Sequence, residues 1–411
     1  MTPALLPAHL RGLRGLAAAA LLASLLPAQR APVASPDAAL AAAAWRTEQV
    51  GVGVTLKRAQ LTSLYGAPQN LCVLHAAAPS KSLRLGVACL DGPGCERTSS
   101  MARSRGALAA VNGGFFHVKT EVPVGLLIVD GQLRYEQNDK VTAAIGIDRR
   151  GGVHIEDRAP GGWPKMREAR GSYPVVLRKG KPVEKQGWGA ADKRHPRTAV
   201  GQTKKGELVF VTVDGRSEQA AGMTLLELAL VMRWLGCETA MNLDGGGSTT
   251  MWLRQHGVVN CPSDNQRFDH AGERPVTDAL CLYAAMVLEQ DEESAALTPA
   301  AAWRSQVARR AVGGDWTLQD GEGEATARFT FVVDAAGTYD LAICWPKVRG
   351  RACDVRWAIA GAASGTLGAR RKAERWQDVD EVTLKAGEHE LVLRRAGPGA
   401  FGVDAVRLVE R

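Results

Sequence analysis

The chain has 411 residues, of which 45% are hydrophobic and 23% charged. That is a globular composition, long enough for more than one core and unlike a disordered or fibrous chain. The net charge of +8, from 51 Lys and Arg against 43 Asp and Glu, favours anionic ligands. The basic residues are dispersed and carry no helix-turn-helix, zinc-finger or aromatic-rich RNA-binding signature, which excludes nucleic acid as a partner.

Residues 1–35 begin with Arg11 and Arg14, continue through the apolar run Gly15 to Leu26 and reach Pro27, the layout of a signal peptide. The run is shorter than the roughly 20 residues of a spanning helix, so we expect export to the periplasm, envelope or medium and no stable membrane span. Eight cysteines without a C-x-x-C pair suit an oxidising compartment better than a zinc site. Cys89 with Cys95 and Cys344 with Cys353 are the local disulfide candidates, weighed against buried free thiols.

Residues 36–48 form an Ala-rich linker, and 49–288 form the first domain. Its strand-like runs are Asn70 to His75, Leu83 to Cys89, Val124 to Val129 and Val141 to Ile147, punctuated by Gly, Pro and Asp. Between Glu207 and Leu243 a strand (Leu208 to Val213), a helix and a second strand (Thr239 to Leu243) follow in order. The helix is announced by the capping box Thr224/Glu227, the stripe Leu225, Leu228, Ala229, Met232 and Leu235, and Gly236 as its C-terminal cap. The acidic stretch 289–300 is expected to be a linker. Residues 301–411 alternate as in a β-sandwich: Ala327 to Val333, Thr338 to Trp345, Val355 to Ala360, Glu381 to Leu384, Glu388 to Arg394 and Val403 to Val409. The expected fold class is therefore an α+β domain, a mixed sheet with packed helices, followed by an all-β sandwich.

Four segments of the first domain carry chemistry. Asn242-Leu243-Asp244-Gly245-Gly246-Gly247-Ser248-Thr249 follows a strand directly, and its glycines allow positive φ and turn amides that cradle an anion. Asn112-Gly113-Gly114 is, taken alone, a hairpin turn. His195-Pro196-Arg197-Thr198 offers a guanidinium suited to phosphate, and Asp214-Gly215-Arg216 stands at a strand end.

Taken together, Asn112-Gly113-Gly114-Phe115-Phe116, Pro196-Arg197-Thr198-Ala199-Val200-Gly201, Asp214-Gly215-Arg216, Gly222-Met223-Thr224 and Asn242 to Thr249, closed by Pro262-Ser263-Asp264-Asn265 and Arg274 to Leu280, resemble the phosphodiester glycosidase family in order and spacing. The tail, with Phe329 to Val333, Gly337 to Leu341, Trp345-Pro346, Leu384 to His389 and Val403 to Leu408, resembles the golvesin-type β-sandwich. Such a sandwich binds glycan through Trp345, Trp357 or Trp376, or buries them as core, the commoner use of Trp.

The resemblance implies a hydrolase for sugar-1-phosphodiesters of N-acetylglucosamine type, with Asp244 as leading carboxylate, Asp214 as second and Arg197 on the phosphate. Asn112, Gly113, Gly114, Thr198, Arg216, Asn242, Gly245, Gly246, Gly247, Ser248, Thr249 and Asp264 would bind the substrate. We expect no cofactor and no metal, although Asp244, Asp264 and Asp278 offer oxygens. The rival readings are a non-catalytic glycan-binding envelope protein and a glycosidase acting on an anionic exopolysaccharide.

Overall fold

The structure is a computed structural model that describes residues 35–410 except 81, 160, 162, 164, 184–192, 292–294, 299–302, 308–314, 320–322, 334–335, 347–351 and 369–375. The expected signal segment lies outside the described residues but for Ser35.

The first domain is organised around an eight-stranded sheet in the order Arg46–Gly51, Val54–Leu64, Ala67–Ala76, Leu208–Val213, Arg197–Thr203, Cys237–Asn242, Val175–Arg178, Lys181–Pro182. Leu208–Val213, a run of β-branched and large apolar residues, is wholly buried, as a central strand requires. Its alternate residues enter two cores. Leu208 and Phe210 pack toward the rest of the molecule, whereas Val209, Val211 and Val213 pack under the helix Leu225–Trp234. The helix buries Leu225, Leu228, Ala229, Val231 and Met232 and starts at the expected reciprocal cap between Thr224 and Glu227. Gly236 follows it at φ 86°, a left-handed conformation costly for other residues.

This helix is a crossover. Leu208–Val213 and Cys237–Asn242 both pair antiparallel with Arg197–Thr203, so they run parallel to each other with one strand between them. Their C-terminal ends and the start of the intervening strand therefore meet at one edge: Arg197 stands opposite Val213, and Ala199 opposite Asn242. Two five-stranded sheets, one containing Met166–Ser172 and the other Ala109–Asn112 beside Asp278–Tyr283, and two two-stranded ones accompany the eight-stranded sheet.

Several expectations are corrected. Every named strand pair is antiparallel, and the α-helices among the described residues span only 6, 7 and 10 residues, so the α+β expectation holds only in part: the first domain is mostly β, and its paired strands are antiparallel where a mixed sheet was expected. Only the segment after Thr224 sustains a helical period. Asn112-Gly113-Gly114 is not a hairpin turn, because Ala109–Asn112 pairs with Asp278–Tyr283 and Met251–Leu253, both far away in sequence. All eight cysteines are unpaired. Within the expected linkers, Pro36–Ala41 is helical and Val287–Asp291 is a strand in register with Ala405–Glu410. The acidic character of that strand hides it, since its partner satisfies the backbone whatever the side chains are.

The C-terminal part is a sandwich of a four-stranded and a five-stranded sheet. Trp345 and Trp357 are only 2% and 3% exposed and belong to its core, while Trp376 lies under the Arg407 guanidinium at 4.2 Å. Arg254 Nη1 donates to Glu410 Oε2 at 2.9 Å, tying the last strand to the first domain. Among the described residues, no helix is long and apolar enough to cross a membrane. Thr224→Ala, which removes the hydroxyl of the cap, should cost the first domain about 1 kcal/mol, read as a lower urea midpoint.

Candidate active site

The edge where the crossover returns collects most of the sequence-selected residues. Asn112 is fully buried and acts as a knot: its Oδ1 accepts from Thr198 Oγ1 at 2.7 Å and from the Thr250 amide at 3.1 Å, while its Nδ2 donates to Asp244 O at 2.8 Å. One amide side chain thus joins the strand end at 112, the strand start at 198 and both flanks of the glycine loop. This differs from the expected role of holding sugar, because its bonding capacity is used within the fold.

Gly113 and Gly114 are required by close packing. A Cβ on Gly113 would fall 1.8 Å from Asp278 Oδ1, and one on Gly114 would fall 2.2 Å from Gly171 O. Beneath them lies a completely buried ion pair, Arg170 Nε to Asp278 Oδ1 at 2.5 Å. Arg170 also donates to the carbonyls of Val124, Gly171 and Phe115 at 3.0, 2.7 and 2.7 Å. Asp278 Oδ1 accepts the Gly114 amide at 3.2 Å, and Asp278 Oδ2 accepts Thr277 Oγ1 at 2.7 Å. Arg170 was not singled out from sequence, and Asp278 only as an oxygen that a metal could use. The available sign was a charged residue in Met166–Ser172, a strand otherwise buried at that end.

In the glycine loop, Asp244 is half-buried and its Oδ1 accepts the Gly245 amide at 2.9 Å. Burial pushes its pKa up to about 6, against the lowering effects of the Ser248 hydroxyl, the Gly245 amide and the charges of Arg274 and Arg170. Gly246 takes φ 62°, a conformation that its lack of a Cβ permits. The expected anion cradle is altered: the Gly246 amide donates to Pro196 O at 2.9 Å and the Ser248 amide to Gly245 O at 3.2 Å. Gly247 is capped by Asp264, which Arg274 holds through two bonds of 2.7 and 2.5 Å. Asp264 and Asp278 are thus each matched to an arginine. Asn242 donates to Tyr173 O at 2.9 Å, but its buried Oδ1, like Thr249 Oγ1 and Thr250 Oγ1, has no hydrogen-bond partner among the described residues.

Two other expected side chains are engaged elsewhere. Asp214 is 1% exposed and accepts from Asn70 Nδ2 at 2.7 Å, Asn260 Nδ2 at 2.9 Å and the Cys261 amide at 2.9 Å. Burial raises its pKa to about 6 in spite of these bonds. Arg197 is half-buried and donates to Met223 O at 2.9 Å and Lys193 O at 3.0 Å. Desolvation lowers its pKa to about 10. By contrast, Arg216 is exposed, at φ 62°, with no hydrogen bond or ion pair among the described residues, and its Nη2 lies 2.8 Å from where a Cβ on Gly246 would stand.

Arg170→Met leaves Asp278 as an unpaired buried charge and should cost about 3–5 kcal/mol in urea unfolding. For Asp214 the folded-state pKa lies above the ordinary 3.8, so the folded state holds the proton more tightly than the unfolded one. Stability should then fall as pH rises from about 4 to about 6, by up to about 3 kcal/mol. Asp214→Asn should make that part of a stability-against-pH curve shallower.

Residues 105–283 match the phosphodiester glycosidase family and residues 286–410 match the golvesin C-terminal domain. The SPbeta prophage-derived uncharacterized protein YomE of Bacillus subtilis is 32% identical over 201 residues, 46% of this chain and 29% of that protein. The N-acetylglucosamine-1-phosphodiester alpha-N-acetylglucosaminidase of Mus musculus is 30% identical over 178 residues, 39% of this chain and 34% of that protein. The chain thus spans about a third of the length of these relatives. A hypothetical protein from Synechocystis shares the fold at TM-score 0.51 and 15% identity, over 58% of this chain and 64% of that one. The chain carries a phosphodiester glycosidase domain at residues 105–283, similar to a mouse protein named as a glycosidase, and a golvesin C-terminal domain at residues 286–410.

Proposed function

We propose that this protein is an exported glycosidase that hydrolyses sugar-1-phosphodiester linkages of N-acetylglucosamine type in envelope or exopolysaccharide glycans. The observation that carries the reading is Asp244, a half-buried carboxyl with a pKa near 6, two residues before Gly246, on which the Arg216 guanidinium packs without an ion pair among the described residues. The match of residues 105–283 to the family and the name of the mouse relative support the same chemistry. The apolar leader supports export.

Cleaving the bond between C1 of a sugar and a phosphate oxygen builds positive charge at C1 and negative charge on the departing phosphate. Asp244, ionised, stabilises C1 or activates the incoming water, and Arg216 receives the phosphate. A departing phosphate monoester is already a stable anion and needs little protonation, so one carboxylate suffices while Asp214 stays bonded within the fold. Asn112, Thr198, Asp264 and the three glycines hold the loop in place, and Arg197 acts on the phosphate only through the donors it does not give to Met223 and Lys193.

The direct test is release of free sugar from N-acetylglucosamine-1-phosphodiesters by the full chain. Asp244→Asn should lower kcat by at least about a hundredfold while unfolding stays cooperative. Since the ionised carboxylate acts, kcat/KM should rise with pH up to about 6 and then level off. Activity that instead falls above that pH would assign Asp244 the role of acid. No turnover, with glycan still bound, would favour the glycan-binding reading, and turnover of a neutral oligosaccharide would favour an ordinary glycosidic bond.

A further inference from the structure

A hollow of about 490 Å³ lies at the far end of the sheet that holds Arg170, lined by Asp148, Arg149, Arg150 and Lys165. The hairpin between Ala143–Asp148 and Val153–Glu156 supplies the first three at its tip. Lys165 comes from the turn that the Met166 amide closes on Trp163 O at 3.0 Å. Asp148 fixes the tip: its Oδ1 accepts the Arg150 and Gly152 amides at 2.7 and 3.0 Å, and its Oδ2 lies 3.1 Å from His154 Nε2. A Cβ on Gly152 would fall 2.6 Å from Asp148 Oδ2, so glycine lets the chain close over that carboxylate. The one acid of the hollow is thus engaged by its own turn, and three cations are left over. Arg149, Arg150 and Lys165 are exposed and have no ion pair among the described residues. Elsewhere on this sheet and its connections, Arg134, Arg158 and Arg167 each face a carboxylate, at 3.8, 3.0 and 3.6 Å.

We propose that this hollow is a second anion site, which holds a phosphate of a polyanionic glycan while another part of the same chain lies at Asp244. The inference rests on the phosphodiester reading for what happens at Asp244, whereas the hollow has its own chemistry. Two guanidiniums offer planar forks that match phosphate oxygens, and the ammonium adds a point charge. Asp148 stands opposite Met166 and Ala144 opposite Gly171, so roughly 15 Å of strand, at about 3.3 Å per residue, separates the hollow from Gly171. Gly171 in turn packs on Gly114, and Gly113 O accepts the Asp244 amide. The hollow is therefore in reach of a short oligomer held at Asp244, and binding at one end raises the effective concentration of phosphate at the other. Single-stranded nucleic acid would need rings for its bases to stack on, but Trp163, the ring beside the turn, is only 6% exposed.

The test uses the full chain and an oligomer of N-acetylglucosamine joined by phosphodiesters from C1 to the 6-hydroxyl, with binding read by calorimetry in an Asp244→Asn background that stops turnover. The oligomer should bind at least about tenfold more tightly than inorganic phosphate. The combined change Arg149→Gln, Arg150→Gln and Lys165→Gln, all at exposed positions, should weaken the oligomer by about tenfold or more with the melting temperature unchanged. The same loss of charge at the exposed Lys57, Lys204 and Lys205 should leave its affinity within about twofold. With Asp244 intact, the first triple variant should keep the kcat/KM of the methyl ester of N-acetylglucosamine-1-phosphate. Oligomer affinity that the first triple variant does not change, or that the second lowers as much, overturns the site. Inorganic phosphate bound as tightly as the oligomer, or single-stranded DNA bound as tightly and lost in the same variant, overturns its assignment to a glycan chain. Loss of oligomer binding in the first variant alone, with no sugar released from either ester by the unaltered protein, overturns the reaction and supports the site.

Discussion

The buried pair of Arg170 and Asp278 organises everything around it. Both side chains are wholly removed from water, and an isolated charge in that position would cost several kcal/mol. The pair is tolerable because nearly every donor and acceptor is used: three carbonyls take the guanidinium, and an amide and a hydroxyl reach the carboxylate. Those partners belong to the segments at 113–115, 124, 171 and 277. The pair therefore dictates where the first motif lies, and only glycine at 113 and 114 lets the backbone come close enough.

A second tier rests on that one. Asn112 binds Thr198, Thr250 and Asp244 O, and Asp214 binds Asn70, Asn260 and the Cys261 amide. Of the polar residues that sequence marks most strongly, several are thus internal braces. Of the charged groups at this edge, Asp244 and Arg216 are left accessible. The same division explains the pKa pattern: burial raises both Asp214 and Asp244 to about 6, but only Asp244 is exposed enough to meet a substrate. A raised pKa alone does not separate a brace from a reacting group.

Much of the fold was legible where the signal is local. Leu208–Val213 was read with its boundaries as they stand, because six consecutive apolar or β-branched residues leave no other choice. The helix after Thr224 was read from its cap and stripe, and the sandwich strands came within a few residues of the alternation that marked them. The strand Val287–Asp291 was missed because an acidic edge resembles a linker until its partner, more than a hundred residues away, is known. Asn112-Gly113-Gly114 was misread as a hairpin for the same reason: a turn dipeptide does not reveal that its strand pairs elsewhere.

By itself, the sequence determined the strands and the helix between Glu207 and Leu243, the two-part order of the chain and the loops that bear chemistry, since hydrophobic period, capping and glycine placement act over a few residues. Only the tertiary structure decided what those loops do. The crossover brings 197, 214 and 244 to one edge; burial turns Asp214 and Asn112 inward; and Arg170, from a strand with no motif, becomes the centre of the arrangement. These outcomes depend on which distant groups satisfy each buried donor and acceptor, and that matching exists only once the sheets have packed.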